Sequence, residues 1–101
     1  MFTKSMGVYE NTEMIGSAFL NYGGDEIEIV QWRNEKQKGS PNPADFNAAH
    51  LAISVSDVKQ AYEHFKTISD VTVRDFCPMG FFYITTPWGC EIQIMGKDVK
   101  K

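Results

Sequence analysis

The chain has 101 residues, of which 43% are hydrophobic and 13% aromatic, enough for one core but not for two independent ones. Its formal net charge of -3 and pI near 5.3 argue against nucleic acid or an anionic membrane as the main partner, because both bind basic surfaces. The sequence has no apolar run that approaches the roughly 20 residues of a membrane helix, and its start lacks the apolar centre of a signal peptide. We therefore expect a soluble cytoplasmic protein.

The first third of the chain predicts strands. Residues 2–9 have a weak strand pattern, and residues 14–22 are uncharged, which suits a strand that is buried on much of both faces. A Gly-Gly turn then leads into residues 26–32, where strict alternation places Ile27 and Ile29 on one face.

Residues 34–46 predict a linker. They begin with a charged run and contain Gly39, Pro41 and Pro43, which interrupt helices and strands. The strands in residues 1–33 are too few to bury a core by themselves. We therefore expect the linker to join two structured parts of a single domain, residues 1–101.

Residues 47–97 predict the element order β-α-β-β-β. Leu51, Ile53 and Val55 alternate with smaller or polar residues, as in a strand with one apolar face. Asp57, followed three residues later by Gln60, has the spacing of a helix cap, and an apolar stripe follows it at steps of three and four. Three further strands are predicted at residues 71–76, 81–86 and 90–95. Their hairpin spacing indicates an antiparallel sheet that one helix covers on one face.

The face of this sheet that the helix leaves uncovered carries His50, Ser54 and Gln93. The two parts of the chain also contain similar segments, since GGDEIEIVQ and WGCEIQIMG each place a glycine turn ahead of a similar strand. This pattern indicates an internal repeat in which Glu28 corresponds to Gln93.

Two runs, HLAISVSDVKQAYEHF at residues 50–65 and TTPWGCEIQI at residues 85–94, carry a resemblance to a known family. They resemble the vicinal oxygen chelate superfamily, which includes glyoxalase I, extradiol dioxygenases and bleomycin-resistance proteins. The resemblance covers the second half of the chain and, in part, residues 14–32. It implies an α+β fold with a mostly antiparallel sheet, in which a complete βαβββ module, residues 47–97, is paired with a shortened, strand-only module, residues 1–33.

The resemblance also implies a metal site. In this family the first and last strands of two modules hold a divalent ion inside a common cup, and the matching positions here are Glu28, His50 and Gln93. The ion would be Ni, Zn, Mn or Fe. Gln93 stands where the family usually has Glu, and the shortened module lacks the strand that would carry a fourth ligand. Because the three residues supply one negative charge, we expect weak affinity for a divalent metal.

We expect a small-molecule-binding protein that sequesters a flat or cationic ligand by stacking and cation–π contacts, in a cup that a dimer completes. The expected ligand-binding residues are Trp32, His50, Ser54, Tyr83, Trp88 and Gln93. One alternative is a metal-dependent lyase or isomerase of the glyoxalase type, with catalytic residues that the sequence does not identify. Another is an interaction module whose cup is filled by its own side chains, with His50 packed as an ordinary strand histidine.

The shortened first module predicts association. Without a helix of its own to cover Ile27 and Ile29, this part leaves an apolar face and an unpaired strand edge. We expect an obligate homodimer or a swapped assembly in which the partner supplies the cover. A chain that is a fragment of a longer protein is the alternative explanation.

Overall fold

The structure is a computed structural model that describes residues 3–39, 41–46 and 48–97. The described residues form a small α+β protein with two helices and six mostly antiparallel strands. Contacts divide the chain into two compact units, Met1–Lys38 and Gly39–Lys101, and the division falls inside the predicted linker. Neither helix in the described ranges has the length and apolar character that crossing a membrane requires.

The first unit contains α1 (Thr3–Met6), β1 (Glu13–Tyr22) and β2 (Asp25–Arg33). The sequence predicts a strand at residues 2–9 and describes residues 1–33 as strand-only. Helix α1 shows that both predictions were wrong for residues 3–6. Residue 2 lies outside the described part. The N–H of Gly7 donates to the carbonyl of Lys4 at 3.2 Å, which closes the turn. Gly7 has a φ of +69°, a conformation that commonly ends a helix.

Strands β1 and β2 pair as the sequence predicts. They form an antiparallel hairpin from Glu13 opposite Arg33 to Tyr22 opposite Asp25, with one irregularity between Met14 and Gly16. The two glycines of the turn have φ values of +58° and +92°, which suit a tight hairpin connection.

Strand β1 is far more exposed than its uncharged sequence predicts. Phe19 is 60% exposed and Leu20 is 49% exposed. The expectation of a strand buried on both faces was therefore wrong. A two-stranded sheet has no second layer of its own, and α1 is the one other helix or strand among the described residues of this unit.

The second unit has the order strand, helix and three strands that residues 47–97 predict. The elements are β3 (His50–Val55), α2 (Val58–Phe65), β4 (Thr72–Val73), β5 (Phe81–Thr85) and β6 (Glu91–Gly96). They form one sheet in the order β3-β6-β5-β4, in which β3 and β6 are parallel and the other neighbours antiparallel. The first strand of the unit therefore lies beside its last strand.

Strand β4 is shorter than the predicted strand at residues 71–76. Regular pairing with β5 covers Thr72 and Val73. The N–H of Arg74 still donates to the carbonyl of Tyr83 at 3.0 Å, and Cys77 forms an isolated bridge with Phe81. Between Arg74 and Cys77 the chain follows β5 without continuing the regular hydrogen-bond pairing of β4 with β5.

Helix α2 begins at the predicted cap and covers one face of the sheet. The carboxylate of Asp57 accepts a hydrogen bond from the N–H of Gln60 at 3.0 Å. The helix residues that pack against the buried core are Val58, Ala61, Tyr62 and Phe65, and that core consists of Phe82, Ile84 and Ile94. A Cβ at Gly96 would lie 3.4 Å from Val58 Cγ1, which is within van der Waals contact, so α2 begins close to the end of β6.

Candidate functional site

The face of the second sheet opposite α2 gathers most of the predicted site residues. Because side chains alternate along a strand, the neighbours of the core residues Phe82 and Ile94, and of Ile53, which packs against the core, point to the other side. The register sets Tyr83 opposite Gln93 and His50 beside Glu91. This outer face carries His50, Ala52, Ser54, Phe81, Tyr83, Thr85, Glu91, Gln93 and Met95, of which Met95 is buried.

Three rings form a row across the outer face. The imidazole of His50 and the ring of Tyr83 have centroids 5.2 Å apart at an interplanar angle of 89°. Tyr83 and Phe81 repeat this edge-to-face arrangement at 5.9 Å and 87°. His50 is exposed, whereas Tyr83 and Phe81 are half-buried. The row therefore presents aromatic surface that is held in place by ring contacts and remains partly accessible.

An ion pair between Arg74 and Glu91 lies at one side of this row. The guanidinium of Arg74 donates a hydrogen bond to the carboxylate of Glu91, and the hydroxyl of Thr85 donates to the second oxygen of that carboxylate at 3.2 Å. The Glu91 side chain is 12% exposed and the Arg74 side chain 44% exposed. Arg74 compensates the charge of the carboxylate, so this part of the outer face is polar without a net charge.

The structure brings together four of the six residues that the sequence assigns to ligand binding. His50, Ser54, Tyr83 and Gln93 lie on the outer face, whereas Trp88 lies in the turn between β5 and β6 and is 79% exposed. Trp32 belongs to β2 in the first unit.

Four further residues of this region are not among those that the sequence assigns to ligand binding. Phe81 and Thr85 each lie two residues from Tyr83, and Glu91 lies two residues from Gln93, so they share a face with these residues and the two-residue period could have identified them. The fourth, Arg74, follows the short strand β4, and its contact with Glu91 depends on a register that the sequence does not specify.

The outer face does not fit a divalent metal ion. His50 and Gln93 would supply no negative charge as ligands, and Glu91 is paired with Arg74, whose positive charge would oppose a cation. In the part of the chain that the structure describes, no three His, Cys, Asp or Glu side chains are grouped so as to hold a metal. Glu28 belongs to β2 in the first unit, opposite Phe19. The assignment of Glu28, His50 and Gln93 as ligands therefore stays a prediction from the resemblance.

The first unit has a polar hollow at the base of its hairpin. Its volume is about 410 Å³, and its lining residues are Glu10, Asn11, Glu13, Arg33, Asn34, Glu35 and Lys36. The amide of Asn34 donates to the carbonyl of Glu10 at 2.9 Å and to the hydroxyl of Thr12 at 2.7 Å. These hydrogen bonds join the segment before β1 to the segment after β2.

No protein-family model matches the chain, and no curated protein matches it significantly in sequence. The resemblance to the vicinal oxygen chelate superfamily therefore rests on the two sequence runs at residues 50–65 and 85–94.

Proposed function

We propose that the protein binds a small, flat organic molecule on the outer face of its second unit. The observation that carries this proposal is the row of rings formed by His50, Tyr83 and Phe81, which have consecutive centroid distances of 5.2 and 5.9 Å. A row of fixed, partly accessible rings offers a flat molecule stacking and edge contacts at little cost in side-chain entropy.

The polar groups beside the rings define the kind of ligand. Gln93, directly opposite Tyr83, offers an amide that can both donate and accept a hydrogen bond. Arg74 compensates Glu91, so the face has no unpaired carboxylate there to attract a cation. We therefore favour a neutral heteroaromatic ligand with at least one ring nitrogen or oxygen over the cationic ligand that the sequence left open.

Equilibrium dialysis with quinoline and N-methylquinolinium tests this proposal, because the two probes have nearly the same shape and differ in charge. We expect the wild-type protein to bind quinoline at least as well as the cation. Replacing the central ring in Tyr83→Ala should weaken binding by roughly tenfold, whereas Tyr83→Phe keeps the ring and should keep the affinity.

His64→Ala is the matched control, since it removes an exposed imidazole that lies on α2 in contact with Phe65. It should leave the affinity unchanged. Two results would contradict the proposal. The first is that wild-type protein and Tyr83→Ala bind each probe with the same affinity. The second is that the wild-type protein clearly prefers the cation and that His64→Ala abolishes this preference.

A further inference from the structure

Strand β1 has exposed apolar side chains on both of its faces. No charged residue and no proline occurs between Met14 and Tyr22. The large apolar side chains of this strand that are at least 40% exposed are Met14, Ile15, Phe19, Leu20 and Tyr22. Phe19 has the highest exposed fraction of these, 60%.

The two edges of the hairpin differ in charge. Strand β2 carries Asp25, Glu26 and Glu28, all exposed, along a strand of nine residues. Charged side chains are a common protection of strand edges against pairing with another chain. Glu13, the one ionisable carboxylate on β1, is paired with Arg33 at 2.6 Å. The β2 edge is therefore protected, and the β1 edge is not.

We propose that two copies of the chain associate through antiparallel pairing of their β1 edges. A second copy fits because the uncharged segment of β1, residues 14–22, can pair with its own copy without placing like charges opposite each other. Pairing through β2 would instead bring the acidic groups of two copies together. The result is a four-stranded sheet in the order β2-β1-β1-β2, which is more stable than an isolated hairpin of two strands.

The regular part of β1 fixes the register of this pairing. The irregularity between Met14 and Gly16 leaves residues 16–22 as the continuous segment. Antiparallel pairing that uses this whole segment centres on Phe19, so that the two Phe19 side chains face each other and Ser17 lies opposite Asn21. The sequence predicts association from the uncovered face of Ile27 and Ile29 together with an unpaired strand edge. The proposal assigns the association to the β1 edge, and it is independent of the ligand on the outer face.

Oxidative cross-linking tests the pairing and its register. Cys77 and Cys90 are free and are replaced by Ser, and single cysteines are then introduced as Phe19→Cys or, in the matched control, Glu28→Cys. Phe19 and Glu28 are opposite each other within one hairpin. Directly paired positions lie about 4.5–5.5 Å apart between Cα atoms, within disulfide reach, whereas the two Glu28 positions would lie three strand spacings apart, about 14 Å.

We expect Phe19→Cys to form a covalent dimer on oxidation and Glu28→Cys to remain monomeric on a denaturing gel. In sedimentation at micromolar concentration, the wild-type protein should have twice the monomer mass of 11.5 kDa. Phe19→Lys should raise the dissociation constant by at least about tenfold, and Glu26→Lys should leave it unchanged. A wild-type monomer would overturn the proposal, as would cross-linking through Glu28→Cys but not through Phe19→Cys.

Discussion

The imidazole of His50 and the ring of Tyr83 meet edge to face across strand β6, with centroids 5.2 Å apart. Their strands are not neighbours, since β6 lies between β3 and β5. The two rings therefore span the strand that carries Gln93 and Glu91, and they combine aromatic surface with polar groups on one face. This arrangement depends on the parallel pairing of β3 with β6, which joins the first and last strands of the unit.

Phe82 takes part in three ring contacts in the core of the second unit. It is fully buried, and its ring lies 5.1 Å from that of Tyr62 and 6.3 Å from that of Phe76, centroid to centroid. Phe82→Ala should lower the free energy of unfolding by about 3–5 kcal/mol, because it removes buried apolar contacts and leaves a cavity. Urea unfolding followed by circular dichroism measures this. Phe81→Ala, at a half-buried neighbour on the outer face, should cost clearly less; equal losses would contradict this account of the core.

The cap at Asp57 should contribute measurably to stability. Its carboxylate accepts the N–H of Gln60, a group that has no partner within the helix. Asp57→Ala should lower the free energy of unfolding by about 0.5–2 kcal/mol. Asp57→Asn should keep most of this stability, because the amide oxygen can accept the same hydrogen bond. If the two variants are equally destabilised in urea, the hydrogen bond is not the source of the effect.

The ion pair between Arg74 and Glu91 should matter more than the pair between Arg33 and Glu13. The Glu91 side chain is 12% exposed, whereas both side chains of the other pair are more than 60% exposed. Arg74→Met should lower the free energy of unfolding by about 1 kcal/mol, because it leaves a largely buried carboxylate without its cation. Arg33→Met should cost less than about 0.5 kcal/mol. Thermal or urea unfolding of the two variants compares them directly, and a larger loss for Arg33→Met would contradict this ranking.

The donor set of the outer face predicts the response to metals. Because His50 and Gln93 would supply no negative charge as ligands and Glu91 is paired with Arg74, Ni, Zn, Mn and Fe ions should give no increase in the midpoint of thermal unfolding that depends on His50. A stabilisation that is present in the wild-type protein and lost in both His50→Ala and Glu28→Gln would instead support the metal site implied by the resemblance.

The second unit was largely predictable because its signals are local. Alternation indicated β3, β5 and β6, and the spacing of Asp57 and Gln60 located the start of α2. The same alternation placed His50 and Gln93 on one face. Strand β4 was overestimated, because whether residues after Val73 continue a ladder depends on a partner strand and not on their own pattern.

The remaining features depend on contacts that a sequence pattern does not encode. Helix α1 comprises four residues, too few for a helical period to be recognised. The lack of charge in β1 indicated burial, yet burial requires a covering layer, and Phe19 is exposed in the described structure. The pairing of Arg74 with Glu91 follows from the register between strands, which also determines whether the outer face has a net charge.

Mapping amide chemical shifts while quinoline is added tests the central claim most directly. The account predicts that the largest changes occur at the outer face, at the amides of His50, Tyr83 and Gln93, and that the exposed positions Lys59 and Glu63 on α2 do not change. Changes confined to α2 or to the hairpin of the first unit would contradict the claim that the outer face of the second unit is the binding site.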